Sequence, residues 1–364
     1  MAGLYIHIPY CHSKCAYCDF YSWPNDGNID MLADAIAREY DIRKSELHEP
    51  LQTIYIGGGT PSILPDAVLA RIVTAVRPAG VSLCEFTIEA NPEDINPRRL
   101  DCWRALGIDR VSMGVQSLND TELKAVGRRH SAAMALDAID MIQQAGFGKI
   151  SCDLIYGLPT QTVESWRDSL SRLLDTGISH LSAYSLSYEE GTLLYARMIM
   201  GRVTPADDDT VALMYESLTA MAAERGFHHY EISNFALPGF EAIHNSSYWN
   251  STPYLGLGPS AHSFDGSVRR VNPASVKKYL QQMPSFEVES ESTADRLNDI
   301  IITALRTDTG LDPAALPVGF RNEVERSARK WLNRSMLVYQ NDRIVIPERF
   351  WLMADAIMRD LIIV

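Results

Sequence analysis

Short apolar runs alternate with amphipathic stretches along the first half of the chain. Residues 4–9 (LYIHIP), 51–56 (LQTIYI), 83–89, 110–115, 150–155 and 180–186 are too short for stable helices and rich in β-branched or aromatic residues, so each predicts a strand. The segments between them, 29–44, 66–76, 96–106, 121–127, 132–145 and 162–175, carry helical periodicity. Pro97 after Asn96 reads as a capped first turn, and Gly107, Gly146 and Gly177 stand where helices would stop. Strands alternating with helices imply parallel βαβ units, in a partial or complete barrel or a doubly wound sheet.

The second half reads differently. A helix is predicted over 208–225 after Thr204-Pro205, whereas 235–272 is rich in Gly, Ser, Asn and aromatic residues and reads as long loops with short strands. Beyond it the pattern gives helices at 293–306 and 320–333, a hairpin at 337–339 and 343–346, and a last helix at 350–361. A chain of 364 residues exceeds what one core usually supports. The expected division is a core barrel over 1–235, a glycine-rich and aromatic segment completing it over 236–292, and a small C-terminal helix-and-hairpin domain over 293–364.

Polar and glycine-rich groups select among the folds. The cysteines follow the first predicted strand, a glycine run the second, Glu89-Ala90-Asn91 the third and Gln116 the fourth, while Asp153 lies within the fifth. In a barrel these strand ends surround one mouth. The expected fold class is therefore α/β, a partial (β/α) TIM-like barrel with a small C-terminal helical and hairpin module.

A formal charge of −13 argues against nucleic acid as a partner. It leaves room for a local patch that makes transient peripheral contact with a membrane. No stretch approaches 18 uncharged apolar residues and the first residues lack a signal-peptide pattern, so a cytoplasmic location is expected.

Three of the six cysteines, Cys11, Cys15 and Cys18, fall in YCHSKCAYCDF with C-x3-C-x2-C spacing. Three thiolates on one loop can hold three irons of a [4Fe–4S] cluster and leave the fourth open. In radical chemistry that iron takes the amino and carboxylate groups of S-adenosylmethionine, whose reductive cleavage gives a 5′-deoxyadenosyl radical. Tyr10, Tyr17 and Phe20 would pack around the cluster. Zinc is the alternative, with His7 or His12 completing a Cys3His set. Gly57-Gly58-Gly59-Thr60-Pro61 is not a phosphate loop, because it lacks the Lys-Ser/Thr ending. Beside a cluster its glycines would let the backbone approach the S-adenosylmethionine amino and carboxylate groups. Cys84, Cys102 and Cys152 sit singly in apolar surroundings and read as core residues.

YIHIPYCHSKCAYCDF, IYIGGGTPSIL, IEANPE, VSMGVQS, CDLIYGLPTQT, YWN and LGLGPSAHS resemble, in order, the radical S-adenosylmethionine superfamily. More narrowly they resemble the branch of the oxygen-independent coproporphyrinogen oxidases and their haem-chaperone relatives. The resemblance implies S-adenosylmethionine contacts from Tyr5, Glu89, Gln116, Arg128 and Asp153, with Phe20 and Gly57 to Thr60 beside them. Arg128 would neutralise the methionine carboxylate and Asp153 would accept ribose hydroxyls. Two departures point away from oxidase chemistry. The oxidases usually continue to C-x3-C-x2-C-x-C, where this chain has Phe20, and His244-Asn245-Ser246-Ser247-Tyr248-Trp249 resembles the H-N-x-x-Y-W signature of the chaperone group. His244, Asn245, Tyr248 and Trp249 are thus haem-binding candidates, with His244 as the candidate iron ligand and His262 near the propionates. The implied function is binding haem and delivering it to an acceptor protein, in a membrane or a cytochrome. The cluster and S-adenosylmethionine would control a conformation, stabilise the complex or support a radical step. The alternatives are a radical enzyme acting on a porphyrinogen and a zinc-stabilised interaction module.

Overall fold

A computed structural model describes residues 2–24, 27–78, 80–281 and 286–363. Residues 282–285, inside the expected middle segment, and the outermost residues of the expected first and last domains lie outside the described residues.

Six parallel strands lie side by side in chain order: β1 (Ala2–Ile8), β2 (Leu51–Gly58), β3 (Glu85–Ala90), β4 (Arg110–Gln116), β5 (Lys149–Tyr156) and β6 (His180–Ser185). They are the six predicted from the sequence, shifted by at most two residues at most ends, and the intervening helices cross over between them. Asn96 caps its helix as expected, its side chain accepting from the Arg99 N–H at 3.1 Å. Beyond β6 the sheet continues antiparallel through β7 (His228–Glu231) and β8 (Asn234–Ala236), with β8 next to β6. On the other side β1 pairs in parallel with β9 (Tyr254–Leu257), and β10 (His262–Phe264), β11 (Arg269–Val271) and β12 (Glu287–Val288) follow antiparallel. No ladder among the described residues joins the two ends. The result is a partial (β/α) barrel, with a C-terminal region of helices Thr293–Leu305, Val318–Leu332 and Ala354–Leu361 and one hairpin.

Strand alternation explains what the barrel holds. Leu4, Ile6, Ile54, Ile56, Ile88 and Val111 are fully buried on the face that the crossover helices cover. Their neighbours face inward and are polar or small. The register carries Gly3, Thr53 and Glu85 along one row of paired residues, and Glu89, Ser112, Ser151 and His180 along another. Buried polar groups need partners. At one end of the barrel they find each other: His180 bonds Ser151 Oγ at 2.7 Å and the Tyr230 hydroxyl at 2.8 Å.

The same end holds an element that the sequence pattern missed. Within the stretch expected to be loops, Ile243–Trp249 forms a helix. It is too short to show periodicity, and Ala242 at its start has no capping side chain. Its cap comes from the barrel: Glu85 accepts from the Ile243 N–H at 3.1 Å and the His244 N–H at 3.0 Å. Arg110 pairs with Glu85 at 2.9 Å and donates to the Phe240 and Glu241 carbonyls at 2.7 and 3.0 Å. Helices Leu193–Ile199 and Val276–Gln281 were also missed, for the same lack of length. Among the remaining cysteines, Cys152 is a core residue as expected and Cys102 is half-buried, but Cys84 is exposed. It lies just before β3, not within it, so strand alternation does not turn it inward.

Because Glu85 and Arg110 are both buried, removing one leaves the other uncompensated. Arg110→Ala should cost about 3–5 kcal/mol in urea unfolding and expose the 243–249 amides to hydrogen exchange. Unchanged exchange there would show that the helix does not depend on the pair.

Candidate functional site

The mouth of the barrel encloses a cavity of about 420 Å³. Cys11, Cys15 and Cys18 line it together with Tyr5, Phe20, Gly58, Gly59, Thr60, Glu89, Gln116, Arg128 and Asp153. Residues from five strands or strand ends and the cysteine loop thus meet at one place. Gly57 does not face the cavity; a Cβ there would lie 2.8 Å from Glu89 Oε1, so its lack of a side chain makes room for that carboxylate. The next two glycines serve the cysteine loop. Gly58 has φ +110°, and a Cβ on Gly59 would lie 2.7 Å from the Tyr10 carbonyl oxygen. That closeness lets the Gly59 and Thr60 N–H groups donate to the Ile8 and Tyr10 carbonyls at 2.7 and 2.8 Å, fastening the loop to the end of β2.

Each cysteine sulfur has a donor beside it. Thr60 Oγ1 donates to Cys11 Sγ at 3.3 Å, an Arg128 N–H points to Cys15 Sγ at 3.5 Å, and the Phe20 backbone N–H serves Cys18. Burial nevertheless raises the Cys11 thiol above its ordinary value and Cys18 to about 11. Ionising these thiols therefore calls for a cation. Among the described residues no three His, Cys, Asp or Glu side chains converge on a single ion. His7 is buried between the Tyr5 hydroxyl at 3.0 Å and the Tyr21 carbonyl at 3.1 Å, and His12 lies 3.7 Å from Asp94. Neither completes a zinc set with the cysteines. A cubane offers each thiolate its own iron and so asks for no common point; the sulfurs and their donors fit such a cluster.

Two carboxyls and the Arg128 guanidinium share the cavity with the cysteines. Glu89 accepts from the Tyr55 hydroxyl at 2.7 Å and from the Gly58 N–H at 3.0 Å, yet burial raises it to about 7. Asp153 is raised by burial to about 6, with Ser182 and Arg128 opposing. Arg128 donates to Asn91 Oδ1 at 2.7 Å and to the Gly114 carbonyl at 2.5 Å. A bulge between Gly114 and Gln116 turns β4, and Gln116 sits at φ +66°. That conformation costs a residue with a side chain about 1–3 kcal/mol and is commonest at functional sites.

The haem candidates are dispersed. His244 is fully buried, with Thr53 Oγ1 2.8 Å from Nδ1, the Tyr248 hydroxyl 2.9 Å from Nε2 and its ring stacked on Tyr55 at 5.1 Å. In this arrangement both ring nitrogens of His244 are already engaged by neighbouring hydroxyls. Burial also lowers it to about 3, so it is neutral. Tyr248 lines a second cavity, of about 270 Å³, that includes Tyr5, Phe20 and His262. Trp249 lines a third, against the C-terminal helix Thr293–Leu305, with Arg306 over its ring at 5.2 Å. Asn245 is half-buried and lines none of these cavities.

Residues 5–173 match the family model of the radical SAM superfamily. The chain is 34% identical over 351 residues to the haem chaperone HemW of Lactococcus lactis, covering 95% of this chain and 91% of that protein. It is also 34% identical over 372 residues to HemW of Mycobacterium tuberculosis, covering 99% of this chain and 94% of that protein. The chain belongs to the HemW family of radical SAM proteins. Among solved structures it resembles coproporphyrinogen III oxidase (HemN) of Escherichia coli, with a TM-score of 0.85, 22% identity and coverage of 99% of this chain and 90% of that one. At that identity the likeness speaks for the fold alone.

Sequence reasoning did not single out Ser112, Ile155 or Tyr184, which also line the mouth cavity. Their signal was present in the inward parity of their strands, which they share with Gly114 and Asp153.

The raised Glu89 gives a pH test on the unloaded chain. A carboxyl that binds its proton more tightly when folded stabilises at low pH, and this contribution is lost as pH rises from the ordinary carboxylate range through about 7. Glu89→Gln imitates the protonated form. Its urea midpoint should match that of the parent chain near pH 5 and exceed it at pH 8; a deficit at both values would mean the ionised carboxylate holds the fold.

Proposed function

We propose that the chain is a haem chaperone, binding haem and passing it to an acceptor protein, with a [4Fe–4S] cluster on Cys11, Cys15 and Cys18 and S-adenosylmethionine at the open iron. The observation that carries the reading is the gathering of three donor-served thiols with Glu89, Gln116, Arg128 and Asp153 around one cavity, in a chain whose relatives are named haem chaperones. When bound, the cluster supplies one electron to S-adenosylmethionine.

The residues of the chain have separable tasks. Arg128, beside Cys15, neutralises the methionine carboxylate; Glu89 receives the amino group; Asp153 accepts ribose hydroxyls. Gln116 and the backbone at Gly58 and Gly59 complete the wall. Phe20, 67% exposed at the rim, stands where the oxidases carry a further cysteine, and it can neither ligate iron nor exchange a proton. Oxidative decarboxylation of a porphyrinogen is therefore disfavoured. The division expected from the sequence is kept as part of this proposal, with 1–235 as the cofactor barrel, 236–292 as its haem-associated completion and 293–364 as the C-terminal domain. Among the described residues no helix is long and apolar enough to cross a membrane, so any meeting with a membrane-bound acceptor would be peripheral.

Anaerobic reconstitution followed by haem titration and transfer to acceptor membranes tests the reading. The expected outcome is stoichiometric haem binding and transfer that weakens when all three cysteines are replaced by alanine, with no vinyl product from coproporphyrinogen; robust turnover of coproporphyrinogen would reject the proposal. S-adenosylmethionine carries positive charge that favours ionised Glu89 and Asp153. Its affinity, measured calorimetrically on the cluster-loaded protein, should therefore fall as pH drops from 8 to 5.5, and Glu89→Gln should flatten that dependence.

A further inference from the structure

We propose that the iron of bound haem is taken by the imidazole of His262, with the macrocycle edge in the aromatic cavity beside the cysteine loop. The inference rests on the haem-binding reading above and assigns the site within it.

An axial ligand must present a free nitrogen to a space that admits a flat, apolar ring. His262 is exposed on β10, lines the cavity of about 270 Å³, and has no hydrogen-bond partner at either ring nitrogen among the described residues. The other imidazoles fail one requirement or the other. His7, His180, His229 and His244 are buried with both nitrogens engaged. His130 is buried on the Val115 carbonyl, and His228 pairs with Asp308 at 2.9 Å. His12 faces a space of only about 10 Å³, and His48 is exposed but lines none of the cavities described.

The walls suit a porphyrin. Tyr5, Phe20, Tyr21, Tyr248 and Tyr254 surround His262, offering ring faces and edges to a π system. Tyr248 is held from behind by His244, so the chaperone-type motif shapes the wall and His262 supplies the ligand. The position of His262 is fixed by its backbone: Ser260, at φ +64°, turns the chain into β10, and His262 packs so close to Gly256 that a Cβ there would lie 1.9 Å from its carbonyl oxygen. Partial burial lowers His262 below its ordinary value, which favours the neutral form that binds iron. The cavity takes an edge of the macrocycle rather than the whole, and the exposed Phe20 extends its apolar floor outward. A cofactor held by one edge and one axial bond can be surrendered to an acceptor.

Ferric haem titrated into the cluster-loaded full chain under anaerobic conditions, followed by visible and EPR spectra, tests the assignment. The parent protein should show an imidazole-ligated iron. His262→Gly should lose that signature and regain it when free imidazole is added. If His262→Gly fails to fold, judged by circular dichroism, His262→Gln carries the same test without the rescue. An unchanged spectrum in the folded His262 variants overturns the assignment and leaves haem binding standing; a parent chain that binds no haem overturns both.

Discussion

The parallel strands of this barrel have an apolar side that helices cover and an inward side of polar or small residues whose polar groups must be satisfied. Ile6 and Tyr5, Ile54 and Thr53, Ile88 and Glu89 are neighbours in sequence with opposite fates. A closed barrel of branched aliphatics would fill itself; this interior is bonded instead. Its lower half is braced within the chain, through the Ser151–His180–Tyr230 series and the Arg110–Glu85 pair. Its upper half, where Glu89, Asp153 and Arg128 stand, opens onto the cavity that the cysteines also line. The division between structure and site follows from where the interior opens.

The cysteine loop depends on that interior too. Gly57 makes room for Glu89, Glu89 accepts the Gly58 N–H, and the next two residues bond the carbonyls that lead into Cys11. Three consecutive glycines thus have three different reasons, only some of them concerned with a ligand. Reading the run as a cradle for S-adenosylmethionine alone captured its place at the mouth but not its service to the loop that carries the thiols.

Much of the fold was legible because it is local. Six apolar runs and their crossover helices declare themselves through period and length, and the cysteine spacing through its density. The helix Ile243–Trp249 was illegible because its cap is Glu85, 158 and 159 residues away in sequence from the amides it receives. The HNSSYW motif marks His244 as haem-linked, whereas its burial and its two engaged nitrogens belong to tertiary structure and leave no trace in the motif. Tyr184 and Ser112 were hidden differently, being polar residues in strands that were judged by their apolar content. Counting alternate positions would have placed both on the inner face.

The motif helix is a rod of seven residues, about 10 Å long at the usual rise. Its N-terminal end is anchored to Glu85 in the barrel, whereas Trp249 at the far end lies against Arg306 of the C-terminal region. Tyr248, one residue before Trp249, is therefore carried on a rod held at both ends, and the aromatic wall it forms is aligned by the barrel and by the C-terminal region together.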